Sequence, residues 1–332
     1  MPPPVSIVEV FPRDGLQVLL HEPDRRVPST DEKVQIVREI DGTGVAEIEI
    51  TGFVHPRVIP ALADAEAVAA AVLGAPHRAT LRALVPNYRG AERAIDAGLR
   101  KLSCLIVASE TYQRLNSRMS VADNLVEIER IVNLAATRNV EVTVGVGTSF
   151  VCPYEGLIEQ PAIERLCDRF QRLGITEVTL ADSIGLAWPT LVRDRCAALL
   201  ERWPDVRLGL HLHTLAGLGL ANAFAGREAG VSSFDGAAGG IGGGIAMPVH
   251  TNGMANVATE DLVYLFESCG IDTGVDLDAI AAAGRHAQGL VGGGGGHVTS
   301  FGSLSSFLAR SRTALPGLAA APPGASDRAV GQ

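Results

Sequence analysis

Eight short runs rich in β-branched residues recur along the chain, at residues 6–10, 47–51, 82–85, 102–107, 140–146, 177–180, 208–213 and 231–235. Each is followed by a stretch with apolar residues at helical spacing, at 30–44, 61–73, 90–98, 121–137, 162–173, 191–203, 218–229 and 260–269. Strands that alternate with helices have both sheet faces covered, which is the pattern of a parallel α/β sheet. Eight such pairs in 332 residues fit a closed (β/α)8 TIM barrel better than an open doubly wound sheet. No GxGxxG separates the first strand from its helix, which argues against a dinucleotide-binding half. Helix boundaries are marked as well: Thr30-Asp31-Glu32 opens one helix, and Gly44, Gly98, Gly174, Gly230 and Gly270 stand where helices stop.

Past residue 270 the pattern predicts one further helix at 277–290, a flexible loop at the five consecutive glycines 292–296, and a disordered tail from about 314, rich in Pro, Ala and Gly. The expected division is a barrel domain at 1–290 and a glycine-rich loop with a tail at 291–332. A net charge of −9 disfavours a nucleic-acid or anionic-membrane surface. Five widely spaced cysteines form no CxxC pair, which is thiol usage for a reducing compartment. The start, Met1-Pro2-Pro3-Pro4, has neither a basic nor an apolar leader region, and no run approaches a membrane span, so a cytoplasmic protein is expected.

The first strand-like run ends in Arg13-Asp14-Gly15, which sets a fixed cation beside an oxygen ligand at a strand end. That pairing suits a site that binds a metal and stabilises a developing anion, although Asp-Gly after a strand also makes an ordinary turn. His211-Leu212-His213 closes the seventh run, and residues i and i+2 of a strand project to one face. Strand ends at that face are where barrel active sites form, while two hydrogen-bonded histidines remain the alternative. First and seventh strands are near neighbours around an eight-strand ring, so Asp14, His211 and His213 are candidates to meet at one cation. Mixed oxygen and nitrogen ligation suits Mg²⁺ or Mn²⁺ better than a closed structural zinc site. Asn256 borders the same rim as a candidate fourth ligand, or as the asparagine that opens a helix.

Several motifs occur in order: PRDGLQ at 12–17, EITGFV at 49–54, LVPN at 84–87, ASE at 108–110, CPYEG at 152–156, DSIG at 182–185, HLH at 211–213 and ANVATEDLVY at 255–264. Over roughly residues 5–290 the chain resembles the 3-hydroxy-3-methylglutaryl-CoA lyase family, and CPYEG and ATEDLVY favour that branch over the related synthases. The resemblance implies that Asp14, His211, His213 and Asn256 hold a divalent cation and that Arg13 stabilises an enolate oxygen. It also implies that Glu49 and Asp182 are acidic site residues near the metal, with Gln17 in the same first-strand motif. The expected reaction is a metal-dependent retro-aldol or retro-Claisen cleavage of a 3-hydroxyacyl-CoA or related 3-hydroxy acid, with His211 as first candidate base. A condensing synthase and a silent acyl-CoA-binding homologue are the alternatives. A homodimer is expected from the family.

Three departures surround the expected pocket. The lyases carry a catalytic cysteine after a glycine-rich loop, where this chain has Gly244 in a longer loop that contains His250, a candidate replacement acid or base. Thr214-Leu215 follows the paired histidines, where the lyases have an acidic residue and then Thr-Tyr. The glycine run 292–296 replaces polar helical sequence. These changes point to an altered substrate. Arg118 is a candidate carboxylate binder as well as a plain surface arginine, and Cys152 is expected to be a buried thiol. His55 and Arg57, after the second strand at the catalytic face, read as surface residues, with contact to an acyl-CoA phosphate as the alternative.

Overall fold

The computed structural model describes residues 3–21, 24–243 and 256–314. Eight parallel strands close on themselves: β1 (Ser6–Glu9), β2 (Glu47–Gly52), β3 (Thr80–Leu84), β4 (Lys101–Val107), β5 (Glu141–Gly147), β6 (Glu177–Asp182), β7 (Arg207–Leu212) and β8 (Ser233–Gly236). The ring closes where Ser6 of β1 aligns with Ser233 of β8 and Val8 aligns with Glu47 of β2. The helices that return the chain are α1 (Thr30–Asp41), α2 (Ala65–Leu73), α3 (Tyr88–Asp96), α4 (Glu110–Ser117), α5 (Val121–Thr137), α6 (Gln160–Arg172), α7 (Pro189–Arg202), α8 (Gly219–Glu228) and α9 (Thr259–Ser268). This is the expected TIM barrel. A short antiparallel hairpin, Val151–Cys152 with Gly156–Leu157, sits above β5.

Local chemistry fixes the helix starts. Ser29 and Glu32 form a reciprocal capping box at α1, as do Ser120 and Asp123 at α5. The apolar core lies between barrel and helices, where Ile48, Ile106, Val144, Leu180 and Leu210 are fully or almost fully buried. Inside the barrel, charge replaces the aliphatic layers usual in this fold. Lys101 Nζ binds Glu47 (2.6 Å) and Glu177 (2.9 Å), and Arg82 reaches Glu47 (3.1 Å), Glu49 (2.9 Å) and Asp235 (3.6 Å). Every one of these groups is paired, which is the condition under which buried charge is tolerated.

The segment expected to be loop and tail carries more structure than its composition suggests. After α10 (Leu277–Val291) come α11 (Val298–Phe301) and α12 (Leu304–Ala314). Asp261 accepts from the amides of His297 (3.0 Å) and Val298 (2.7 Å), and Asp278 accepts from the amide of Ser303 (2.8 Å), so side chains of the barrel helices hold this segment. The glycine run packs closely: the amides of Gly295 and Gly296 donate to Gly239 O (3.1 and 3.4 Å) at the root of the β8–α9 connection. No helix among the described residues is long and apolar enough to cross a membrane.

Candidate metal centre and cavity at the barrel mouth

The chain leaves β1 through a tight turn at Phe11–Gly15 with π-helical hydrogen bonding, Pro12 lying within its first turn. A Cβ on Gly15 would fall 2.3 Å from the Phe11 ring, so the turn that presents Arg13 and Asp14 requires a glycine there. Across the mouth, β7 delivers His211 and the adjacent His213. One ligand atom from each of Asp14, His211 and His213 lies within 4.8 Å of the others. Strands β1, β7 and β8 adjoin in the ring, so the geometry brings the expected triad together.

The hydrogen bonds around the triad fix its ligand atoms. His213 Nδ1 lies 2.8 Å from Ser183 O, so it carries the proton and leaves the Nε2 lone pair facing inward. His211 Nδ1 meets Asp235 Oδ2 at 3.2 Å. The two Nε2 atoms then stand 3.2 Å apart. Two imidazole lone pairs aimed at each other repel unless a proton or a cation is shared. Asn256 Nδ2 donates to Asp14 Oδ2 (2.7 Å) and to Ile241 O (3.1 Å). Its Oδ1 is buried without a hydrogen-bond partner among the described residues. Gly242 has φ +140°, and a Cβ there would fall 2.1 Å from Asn256 Nδ2 and 2.7 Å from Asp14 Oδ2. A buried carboxylate, two inward imidazole nitrogens and an orphaned amide oxygen in a cradle closed to any side chain fit a divalent cation.

Asp14 and His213 have the charge states that this donor set requires. Burial raises the Asp14 carboxyl, but Arg13, His211 and His213 together hold it below its ordinary value. Burial and the neighbouring His211 push His213 down to about 4, so its imidazole is neutral, as a ligand must be. Burial opposes a charge on His211, yet Asp235 and Asp14 raise it. Arg13 pairs with both Glu49 and Asp14, and Gln17 Nε2 donates to Asp14 Oδ1 at 2.6 Å.

A cavity of about 300 Å3 opens beside this centre, lined by Arg13, Asp14, Gln17, Glu49, Arg82, His211, His213 and Asp235 among others. His55, exposed as expected, also lines it. Other expected residues fall elsewhere. Asp182 points its carboxylate at the amides of Leu186 (3.3 Å) and Ala187 (3.0 Å), where it holds the β6–α7 turn; burial raises it to about 6. It does not line the cavity. Arg118 is exposed at the left-handed end of α4 (φ 62°), next to the lining residues Ser117 and Met119 but not itself lining. Cys152 is buried and accepts from the Tyr154 amide (3.4 Å). Gly244 and His250 lie outside the described residues. Sequence reading missed Arg82 and Asp235. Their signal was a charged residue at an inward position of a short strand.

A sequence model of the HMGL-like family matches residues 4–286. The (R)-citramalyl-CoA lyase of Chloroflexus aurantiacus is 37% identical over 321 residues, 92% of this chain and 99% of that protein. The hydroxymethylglutaryl-CoA lyase YngG of Bacillus subtilis is 38% identical over 291 residues, 88% of this chain and 94% of that protein. Among solved structures, an HMG-CoA lyase from A. baumannii in complex with coenzyme A and 3-methylmalate superposes with a TM-score of 0.81 at 34% identity, covering 89% of this chain and 94% of that one.

Proposed function

The chain belongs to the HMGL-like family, and from that premise we propose that it is a divalent-metal-dependent carbon–carbon lyase that cleaves a 3-hydroxy-3-alkylacyl-CoA thioester. The observation that carries this reading is the convergence of Asp14, His211, His213 and Asn256 at the edge of a cavity that also holds Arg13. Relatives named as lyases of two different 3-hydroxyacyl-CoA compounds support cleavage over condensation. The cation is Mg²⁺ or Mn²⁺, and when bound it supplies Lewis acidity that lowers the pKa of a substrate hydroxyl.

The protein's own groups do the rest. His211 Nδ1 is bound to Asp235, and its Nε2, 3.2 Å from His213 Nε2, would hold the ion, so His211 would serve as a ligand and not as the base. Glu49 lines the cavity between Arg13 and Arg82 and takes the hydroxyl proton. The C2–C3 bond then breaks, its electron pair forming the enolate of an acetyl thioester while the C3 oxygen becomes a carbonyl. Arg13 holds the enolate oxygen until C2 is protonated, which releases acetyl-CoA and an oxo product. Gln17 orients the Asp14 carboxylate, and Arg118, exposed beside the lining residues Ser117 and Met119, is available to a substrate carboxylate. The five free cysteines accord with a reducing cytoplasm, and a homodimer is the proposed assembly.

The test is product analysis with purified protein and Mg²⁺ or Mn²⁺. Hydroxymethylglutaryl-CoA and citramalyl-CoA are supplied in turn, and acetyl-CoA is measured against the oxo acid. Equal amounts of both products from at least one thioester are expected. No cleavage of either thioester, with free CoA released only from an acyl-CoA plus a 2-oxo acid, would reverse the assignment to a synthase.

A further inference from the structure

We infer that Gly145 opens the acyl side of the cavity, so that this enzyme prefers a C3 substituent longer than methyl; the inference rests on the lyase reading above. Gly145 stands in the middle of β5, between Val144 and Val146, where a glycine weakens the strand. A strand glycine is usually demanded by a left-handed backbone or by an atom that occupies the Cβ position. Neither holds here. Gly145 is not among the positive-φ glycines, and an added Cβ would meet only Leu105 Cδ1 at 3.6 Å and Cys104 O at 3.8 Å, which are ordinary contacts. Its inward neighbours are different. A Cβ on Gly209 would fall 2.9 Å from Thr179 Oγ1, and one on Gly147 would fall 3.2 Å from Val107 Cγ2.

What Gly145 provides is therefore space. It lines the cavity, paired in register with Leu105 of β4 on one side and Thr179 of β6 on the other. None of the β4, β5 and β6 residues that line the cavity is charged, whereas Arg13, Asp14, Glu49, Arg82, His211 and Asp235 line it from β2, β3, β7, β8 and the turn after β1. A substrate bound through its hydroxyl at the metal centre thus turns its C3 substituent toward Leu105, Leu84 and Met119. Leu105, Leu84 and Met119 give that wall apolar surface for an alkyl chain, beside the neutral hydroxyls of Ser103 and Thr179 and no charged group from β4, β5 or β6.

The experiment compares 3-hydroxy-3-methylglutaryl-CoA with its 3-propyl homologue in the wild-type enzyme and in Gly145→Ala and Gly145→Val. Each buried methylene is worth about fourfold in kcat/KM, so the wild type should favour propyl over methyl by roughly tenfold or more. The preference should shrink in Gly145→Ala and vanish or invert in Gly145→Val. If the wild type cleaves the methyl compound at least as well as the propyl one, the inference is overturned and the lyase reading stands. If it cleaves neither, the inference is overturned, and the lyase reading is then decided by citramalyl-CoA. Should Gly145→Val fail to fold by circular dichroism, the wild-type preference and the alanine variant still decide.

Discussion

Asp235 offers a sharp test of how this barrel holds its metal centre. Its carboxylate touches no expected ligand atom of the cation; it meets His211 Nδ1 at 3.2 Å and Arg82 Nη2 at 3.6 Å. In Asp235→Ala, Arg82 keeps Glu49 (2.9 Å) and Glu47 (3.1 Å), so no cation is stranded and the fold should lose little. The loss falls on His211, which is no longer held in the tautomer that aims Nε2 inward. A unit charge about 4 Å away at an effective dielectric of about 20 bounds the effect at roughly 4 kcal/mol. Partners that orient metal-bound histidines typically account for about 10–100-fold in affinity, or about 1.4–2.7 kcal/mol. Free Mn²⁺ measured by electron paramagnetic resonance should accordingly show Kd raised about 10–100-fold in the alanine variant, with a melting temperature close to wild type. Asp235→Asn keeps an acceptor for Nδ1–H and should lose less than the alanine variant. Mn²⁺ binding within twofold of wild type in Asp235→Ala would show that His211 needs no such support and that the donor set has been misread.

Other perturbations test neighbouring parts of the account. Glu49→Gln should lower kcat by roughly 10²–10⁴-fold as a lost base while leaving Mn²⁺ affinity nearly unchanged; an equal fall in both would make Glu49 a structural brace for Arg13. Arg82→Met leaves Glu47, Glu49 and Asp235 facing one another without their shared cation and should cost about 3–5 kcal/mol in urea unfolding. A cost under 1 kcal/mol would mean that the carboxylates take up protons instead. Glu9 accepts from the amides of Phe11 and Ala238 and from Thr259, yet burial raises its carboxyl to about 7 from an ordinary 4.5. The folded state then binds the proton that the unfolded state has released between those values, so this group's contribution to stability falls as pH rises from about 4.5 to 7. Glu9→Gln should remove that slope, and melts at several pH values that run parallel for both proteins would refute it.

Much of this was legible because the barrel repeats one pattern eight times. Apolar β-branched runs mark strands whether or not their ends are read correctly, as at residues 140–146, where β5 is Glu141–Gly147. Asp14 and the paired histidines were visible because a turn after a strand and an i, i+2 pair each place side chains at a known face. Arg82 and Asp235 were not. A charge inside a short strand reads as a weakened strand, and only a closed barrel reveals that it faces a partner from another strand. Helix α4, ETYQRLNS, escaped notice because it is short and polar, and rests on a Ser109 cap and a few buried contacts such as Tyr112. The glycines at 292–296 read as a spacer from composition alone. Their close approach to Gly239 is a tertiary contact that no local pattern encodes.

The central claim is that four side chains from three separate segments share one ion, and that cleavage depends on it. Mn²⁺ titration of the metal-stripped protein, followed by turnover of its thioester substrate before and after the ion is restored, tests this most directly. One ion per chain is expected, with activity absent after chelation, regained in proportion to occupancy, and both lost in Asp14→Asn. Full turnover by stripped protein, or an ion that binds equally well without the Asp14 carboxylate, would contradict it.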